Sequence, residues 1–294
     1  MKKFLIVLLT ILLLLTSCEL ITKQNKSQRN VYFISLALDY NYSYNNTLLG
    51  TINDQKSLFE EIKYLSYCDN SPFSYYLIKQ EGEMVEINSN GSITNEILDS
   101  KKHIYLIKDL IISKLSAYSS VMDENDLLIF QYSGHGLDST GDLVCYYDYS
   151  SMSLITSNEI IESIKGNNGI KLLIIDSCYS GKFYDETSVE YNKNSFKSLF
   201  ESIQSRRNIF AITAASSDEL AYPYDTSSDT FGKLTKCFLE VLGYDTKSKT
   251  VGKKNKTIWY SDLVTQIQKT INNNNSTTPK QHPQGNEIKD FILF

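Results

Sequence analysis

Lys171-Leu-Leu-Ile-Ile-Asp-Ser-Cys-Tyr-Ser-Gly181 is an apolar run with an abrupt polar end. Ile170 and Leu172 to Ile175 have the length and composition of a strand buried on both faces of a parallel sheet. The run stops at Asp176, and a carboxylate, a hydroxyl and a thiol follow at the carboxyl end of the expected strand. Open α/β sheets place their ligands and chemistry outside that end. Cys178 therefore stands where a nucleophile belongs. One cysteine after one strand serves equally well as a small buried hydrophobe, so a second signal is needed.

Asp126-Leu-Leu-Ile-Phe-Gln-Tyr-Ser-Gly-His-Gly136 supplies it, with the same apolar run and polar tip. The chain has only three histidines, and here one lies between two glycines, which lets the backbone turn sharply and approach a ligand. His135 and Cys178 are 43 residues apart (178 less 135), room for one crossover between neighbouring parallel strands. The spacing predicts two adjacent strands with histidine at one tip and cysteine at the next.

Tyr132-Ser133-Gly134-His135-Gly136 together with Asp176-Ser177-Cys178-Tyr179-Ser180-Gly181 resembles the caspase-like cysteine peptidases, the metacaspase and bacterial branch more than the animal caspases. The likeness extends over most of residues 31–294. It implies an α/β fold, a three-layer sandwich with a mostly parallel central sheet of about six strands and helices on both faces. It also implies a cysteine endopeptidase. Cys178 would attack the peptide carbonyl to form an acyl-enzyme, and His135 would protonate the leaving amine and then activate water. By the same resemblance the oxyanion faces the backbone N–H groups of Gly136 and Cys178, and Ser133 helps shape the pocket.

The family places one aspartate of a Gly-x-x-Asn-Asp segment, and the aspartate two before the cysteine, in the pocket for the residue preceding the scissile bond. Here these are Asp54 and Asp176. Two carboxylates in one pocket repel unless a cation enters, so the expected guest is arginine or lysine. The animal branch uses arginines to take aspartate, and neither motif has an arginine beside it. Tyr179 stands where many metacaspases have histidine, and Gln55 where alanine is frequent; neither touches the dyad. The rival reading from another class is a caspase-fold surface lipoprotein that binds or adheres without turnover.

At the N-terminus, Lys2 and Lys3 precede an apolar run from Phe4 to Leu15, followed by Leu15-Thr-Ser-Cys18. This resembles a bacterial lipoprotein signal, with residues 1–17 removed and Cys18 diacylated. Residues 18–30 then read as a polar tether and residues 31–294 as the peptidase domain. The resemblance implies an exported, membrane-anchored protein on the periplasmic or cell-surface side, held by its acyl chains.

Cys68, Cys145, Cys178 and Cys237 remain, without Cys-x-x-Cys spacing and without an implied disulfide framework. No metal is assigned and no cofactor is required; calcium activates some relatives, and Asp185 and Glu186 are near the nucleophile in sequence only. A net charge of −5 with interspersed charges argues against nucleic acid as a partner and leaves proteins or peptides as substrates.

Along the chain, the patterns predict strands over 31–38, 74–79 and 209–214 and a turn at Asn88–Gly91. Helices are expected from Asn53 or Asp54, as N-cap, to about Tyr67, and over 94–118, 232–242 and 258–271. Leu143–Tyr147 reads as one strand of a hairpin turning at Gly141-Asp142, and Thr156 or Ser157 as the cap of a crossover helix ending near Gly166. Lys182–Arg207 reads as a solvated loop with a short helix at Phe196–Ile203, and, in an enzyme that cuts after basic residues, as a candidate for self-cleavage. Ala215–Tyr222 resembles the family's segment bordering the cleft, in which Ser216 or Ser217 would line the pocket or serve an ordinary turn; Phe291–Phe294 would close the sheet as an edge strand, and His282 is structural.

Overall fold

The computed structural model describes residues 28–42, 47–97, 103–147, 151–165, 169–183, 208–225, 229–252, 257–274, 281–285 and 290–294. Its centre is a run of parallel strands: β1 (Val31–Leu38), β2 (Phe73–Glu81), β5 (Leu127–Ser133), β8 (Ile170–Asp176) and β9 (Ile209–Thr213). Two antiparallel strands, β3 (Met84–Ser89) and β4 (Ser92–Ile97), extend one edge, and a two-residue β10 (Gln284–Gly285) closes the other. The order is β10-β9-β8-β5-β1-β2-β3-β4, eight strands among the described residues where about six were expected. A separate hairpin pairs β6 (Leu143–Tyr147) with β7 (Met152–Ile155).

Alternation along each central strand divides the core into two layers. Val31, Phe33, Leu127, Ile129, Leu172 and Ile174 pack against α1 (Thr51–Cys68), α4 (Lys233–Leu242) and α5 (Tyr260–Asn274). Ile34, Leu36, Leu128, Phe130, Leu173 and Ile175 pack against α2 (His103–Val121) and α3 (Ser157–Ile164). Every side chain of β5 is buried, Gln131 and Ser133 included, as expected of a strand covered on both sides. The sheet with helices on both faces is the three-layer sandwich expected from the sequence.

Local capping sets where the helices start. Thr156 caps α3 with a full capping box: its hydroxyl accepts from the Glu159 N–H, and the Glu159 carboxylate accepts from the Thr156 N–H. For α1 the expected cap is corrected. The helix begins at Thr51 with Gly50 as N-cap, at φ +93°, where a side chain would press on the Phe231 backbone. Asn53 and Asp54 thus lie inside the first turn, and Asp54 is free for another task.

Three further expectations are corrected. Residues 92–97 form β4 and not the start of a helix, because the Asn90-Gly91 turn, both residues at positive φ, folds β4 back on β3. Gly141-Asp142 does not turn the β6–β7 hairpin; it returns the chain from Gly136 to Leu143, which form an isolated bridge. Phe291–Phe294 does not supply the sheet edge: Ile292 bridges to Trp259, and Phe291, Leu293 and Phe294 are buried beside α5, while Gln284–Gly285 pairs with β9.

Candidate active site

In the parallel register of β5 and β8, Ser133 lies opposite Asp176. The next link is a hydrogen bond from the Gly134 N–H to the Asp176 carbonyl. His135 and Cys178 each come two residues after that matched pair, so both emerge at the carboxyl ends of neighbouring strands. The segments touch: a side chain at Gly136 would collide with the Cys178 carbonyl oxygen, so only glycine allows the approach. The two peptide units expected to face an oxyanion, those of Gly136 and Cys178, therefore belong to abutting loops.

His135, Cys178, Ser133, Asp54 and Asp176 line one cleft of about 240 Å³. The Cys178 thiol is half-buried and donates to the Ala221 carbonyl at 3.7 Å. Its loop is braced on the segment after β9. The Tyr179 N–H, on a residue at φ +55°, donates to the Glu219 carbonyl, and the Ser180 hydroxyl accepts from the Ala215 N–H. Burial raises the thiol pKa and Asp176 adds to the shift, while the peptide groups of Ala221 and Cys178 partly offset it. The balance favours the protonated thiol over the thiolate.

The floor of the cleft is acidic. Ser133 and Asp176 point to the α1/α4 layer, since they continue the alternation of Leu127, Ile129, Leu172 and Ile174. There the Ser133 hydroxyl donates to Asp54 Oδ2 at 2.6 Å, and the Gly232 N–H donates to Asp54 Oδ1 at 2.9 Å. Asp176 Oδ2 accepts from both the N–H and the hydroxyl of Thr235, at 2.9 and 2.8 Å, at the start of α4. A side chain at Gly232 would overlap Asp176 Oδ2 and lie 2.9 Å from Asp54 Oδ2, so the two carboxylates flank one glycine.

Both carboxyls are held above their ordinary range. For Asp54 the causes are complete burial and then the charge of Asp176, opposed by Ser133 and Gly232. For Asp176, burial raises the pKa to about 6 against the bonds from Thr235. The pair thus favours holding a proton near neutrality, and a cation placed between them reverses that preference.

The model of one protein family, the caspase domain of peptidase family C14, matches residues 35–289. This chain belongs to the caspase-domain family. The crystal structure of caspase-1 from Spodoptera frugiperda is similar, with a TM-score of 0.53, 12% identity, and coverage of 89% of this chain and 87% of that one. At that identity the likeness speaks for the fold. No curated protein matches the sequence. The family is one of cysteine-type hydrolases whose substrates are proteins.

Within this caspase domain several site residues went unread in the sequence. Gly232 and Thr235 hold the carboxylates, yet in sequence they are only the start of an amphipathic helix. Pro223 also lines the cleft, beside Ala221 and Tyr222 of the segment expected to border it, whereas Ser216 and Ser217 do not. Ser216 instead bonds to Asp218 and Glu219 in a turn. His282 pairs with the Glu219 carboxylate away from the cleft lining, in keeping with a structural role. Cys145 and Cys237 are buried, Cys68 is exposed, and all are free, as is Cys178.

Cys18, Asp185, Glu186 and the segment Phe196–Ile203, expected to be a short helix, lie outside the described residues. Among the described residues no group of three or more His, Cys, Asp or Glu is placed to hold a metal.

Proposed function

We propose that this chain is a cysteine endopeptidase that cleaves after arginine or lysine. One observation carries the reading: an imidazole and a thiol at adjacent strand tips share a cleft with two buried carboxylates. His135 takes the proton from Cys178, and the thiolate attacks the carbonyl carbon of the scissile bond. The resulting oxyanion is met by the peptide N–H groups of Gly136 and Cys178. His135 then passes its proton to the leaving amine, giving an acyl-enzyme. Next it removes a proton from water, whose attack releases the acid and restores the thiol. The cationic side chain of the residue before the cut sits between Asp54 and Asp176, where its charge offsets the repulsion of two buried anions.

In this reading Cys18 carries the lipid that tethers the domain to an exported membrane face, and its substrates are proteins or peptides. Fluorogenic peptides differing only in Arg, Lys or Asp before the reporter test the specificity. Turnover of the Asp peptide alone would refute it. A wild-type protein that neither turns over nor reacts with a peptide acyloxymethyl ketone would return the chain to the rival reading, a binding module on a caspase fold.

A further inference from the structure

His135 has glycine on both sides, a local sequence with much backbone freedom to lose and no side chain to anchor it. Two buried tyrosines answer this. The Tyr40 hydroxyl accepts from the His135 peptide N–H at 3.1 Å, and the Tyr132 hydroxyl donates to the His135 carbonyl at 2.6 Å. That carbonyl also accepts from the Val144 N–H at 3.0 Å. The two hydroxyls lie 3.0 Å apart, and both can donate to the Val144 carbonyl. Neither ring is exposed to solvent, and the Tyr40 ring lies 4.5 Å from the imidazole, centroid to centroid.

Two more observations belong to this cluster. Gly134 tolerates no side chain, since a Cβ there would sit 2.5 Å from the Tyr132 hydroxyl and 2.8 Å from that of Tyr40. Tyr40 itself is at φ +56°, a conformation that costs a bulky L-residue energy and persists only where the surroundings enforce it. The enforcing contact comes from Gln80, whose side-chain oxygen accepts the Tyr40 N–H at 2.8 Å.

We propose that Tyr40 and Tyr132 are positioning residues for His135, their paired hydroxyls fixing both peptide groups of the histidine so that its ring is held at the rim of the cleft. The inference rests on the role proposed for His135 only where turnover is read; the structural part stands without it. Removing the Tyr40 hydroxyl takes away the acceptor of the His135 N–H, and removing that of Tyr132 takes one of two donors from the His135 carbonyl, so the loop reorganises. The ring then samples positions from which proton transfer is slow, so the loss falls on kcat and not on substrate binding.

With only three histidines, a sample labelled with ¹³C at histidine Cε1 gives one signal each for His103, His135 and His282. Tyr40→Phe and Tyr132→Phe are expected to shift or broaden the His135 signal alone. For an Arg or Lys peptide they are expected to lower kcat roughly tenfold or more, with KM within about twofold. Tyr260→Phe is the control: its hydroxyl is also buried and donates to the Ala211 carbonyl at 3.1 Å, on the other layer of the core. It should leave the His135 signal and kcat unchanged. If one of the two variants fails to fold, the other carries the same test, because each hydroxyl holds a different peptide group. An unmoved His135 signal in both variants, or a shift no larger than that of Tyr260→Phe, overturns the proposal. If wild type shows no turnover, the proposed peptidase function fails while the spectra still decide the positioning role.

Discussion

Ser133 and Asp176 are partners across the parallel ladder of β5 and β8, and that single register brings the imidazole and thiol to neighbouring exits. A slip of one residue in β8 would turn Asp176 into the α2/α3 layer, away from Asp54 and Thr235, and a slip in β5 would do the same to Ser133. The imidazole–thiol pair and the acidic floor are therefore products of the same alignment.

Gly232 is the tightest point of that floor. Gly232→Ala places a methyl group against both carboxylates, so one of them must move and the backbone N–H to Asp54 shifts with it. Overpacking of this kind costs about 1–3 kcal/mol. The expected result is a lowered melting temperature and a large loss of kcat/KM for Arg and Lys peptides, read by thermal unfolding and peptide hydrolysis. Wild-type cleavage in this variant would show that the guest does not reach the space between Asp54 and Asp176.

The buried carboxylates make stability and function pull in opposite directions. A carboxyl whose folded pKa is raised binds protons more tightly in the native state, so its contribution is most favourable at low pH and is lost as pH climbs through the folded value. For Asp176 that window runs from the ordinary 3.8 to about 6, a penalty on the order of 2–3 kcal/mol at pH 8. Asp176→Asn should raise the melting temperature at pH 8 by several degrees and by little at pH 4, while weakening cleavage after basic residues. Equal effects at both pH values would contradict the assigned cause.

The same ionisation predicts a pH profile for turnover. Below about pH 6 Asp176 takes up a proton and the floor loses charge, so KM for Arg and Lys peptides should rise as pH falls. For a peptide with a neutral residue before the cut, the rise should be smaller. Identical profiles for the two peptides would remove Asp176 from substrate recognition.

What the sequence made legible follows from the range of each signal. The apolar runs ending at Ser133 and Asp176 state strand, burial and tip within eleven residues, and the two aspartates stand in short motifs. Gly232 and Thr235 carry no comparable local signal. They matter because α4 starts against the tips of strands that lie over fifty residues earlier in sequence, a packing fact absent from any window. Residues 94–97 misled for the opposite reason: Ile97 fits a helical stripe continuing into α2, yet the Asn90-Gly91 turn wins and makes the segment a strand. Tyr40 stands in the polar run Tyr-Asn-Tyr-Ser-Tyr, where no local signal separates it from Tyr42 or Tyr44, and only its buried hydroxyl on the His135 N–H sets it apart.

The most direct measurement is hydrolysis of an Arg fluorogenic peptide by wild type and by Cys178→Ala, with melting temperatures taken alongside. The half-buried sulfur contributes little packing, so the variant should melt within a few degrees of wild type while its turnover falls at least about a thousandfold. Retained hydrolysis in a folded Cys178→Ala protein would contradict the account at its centre.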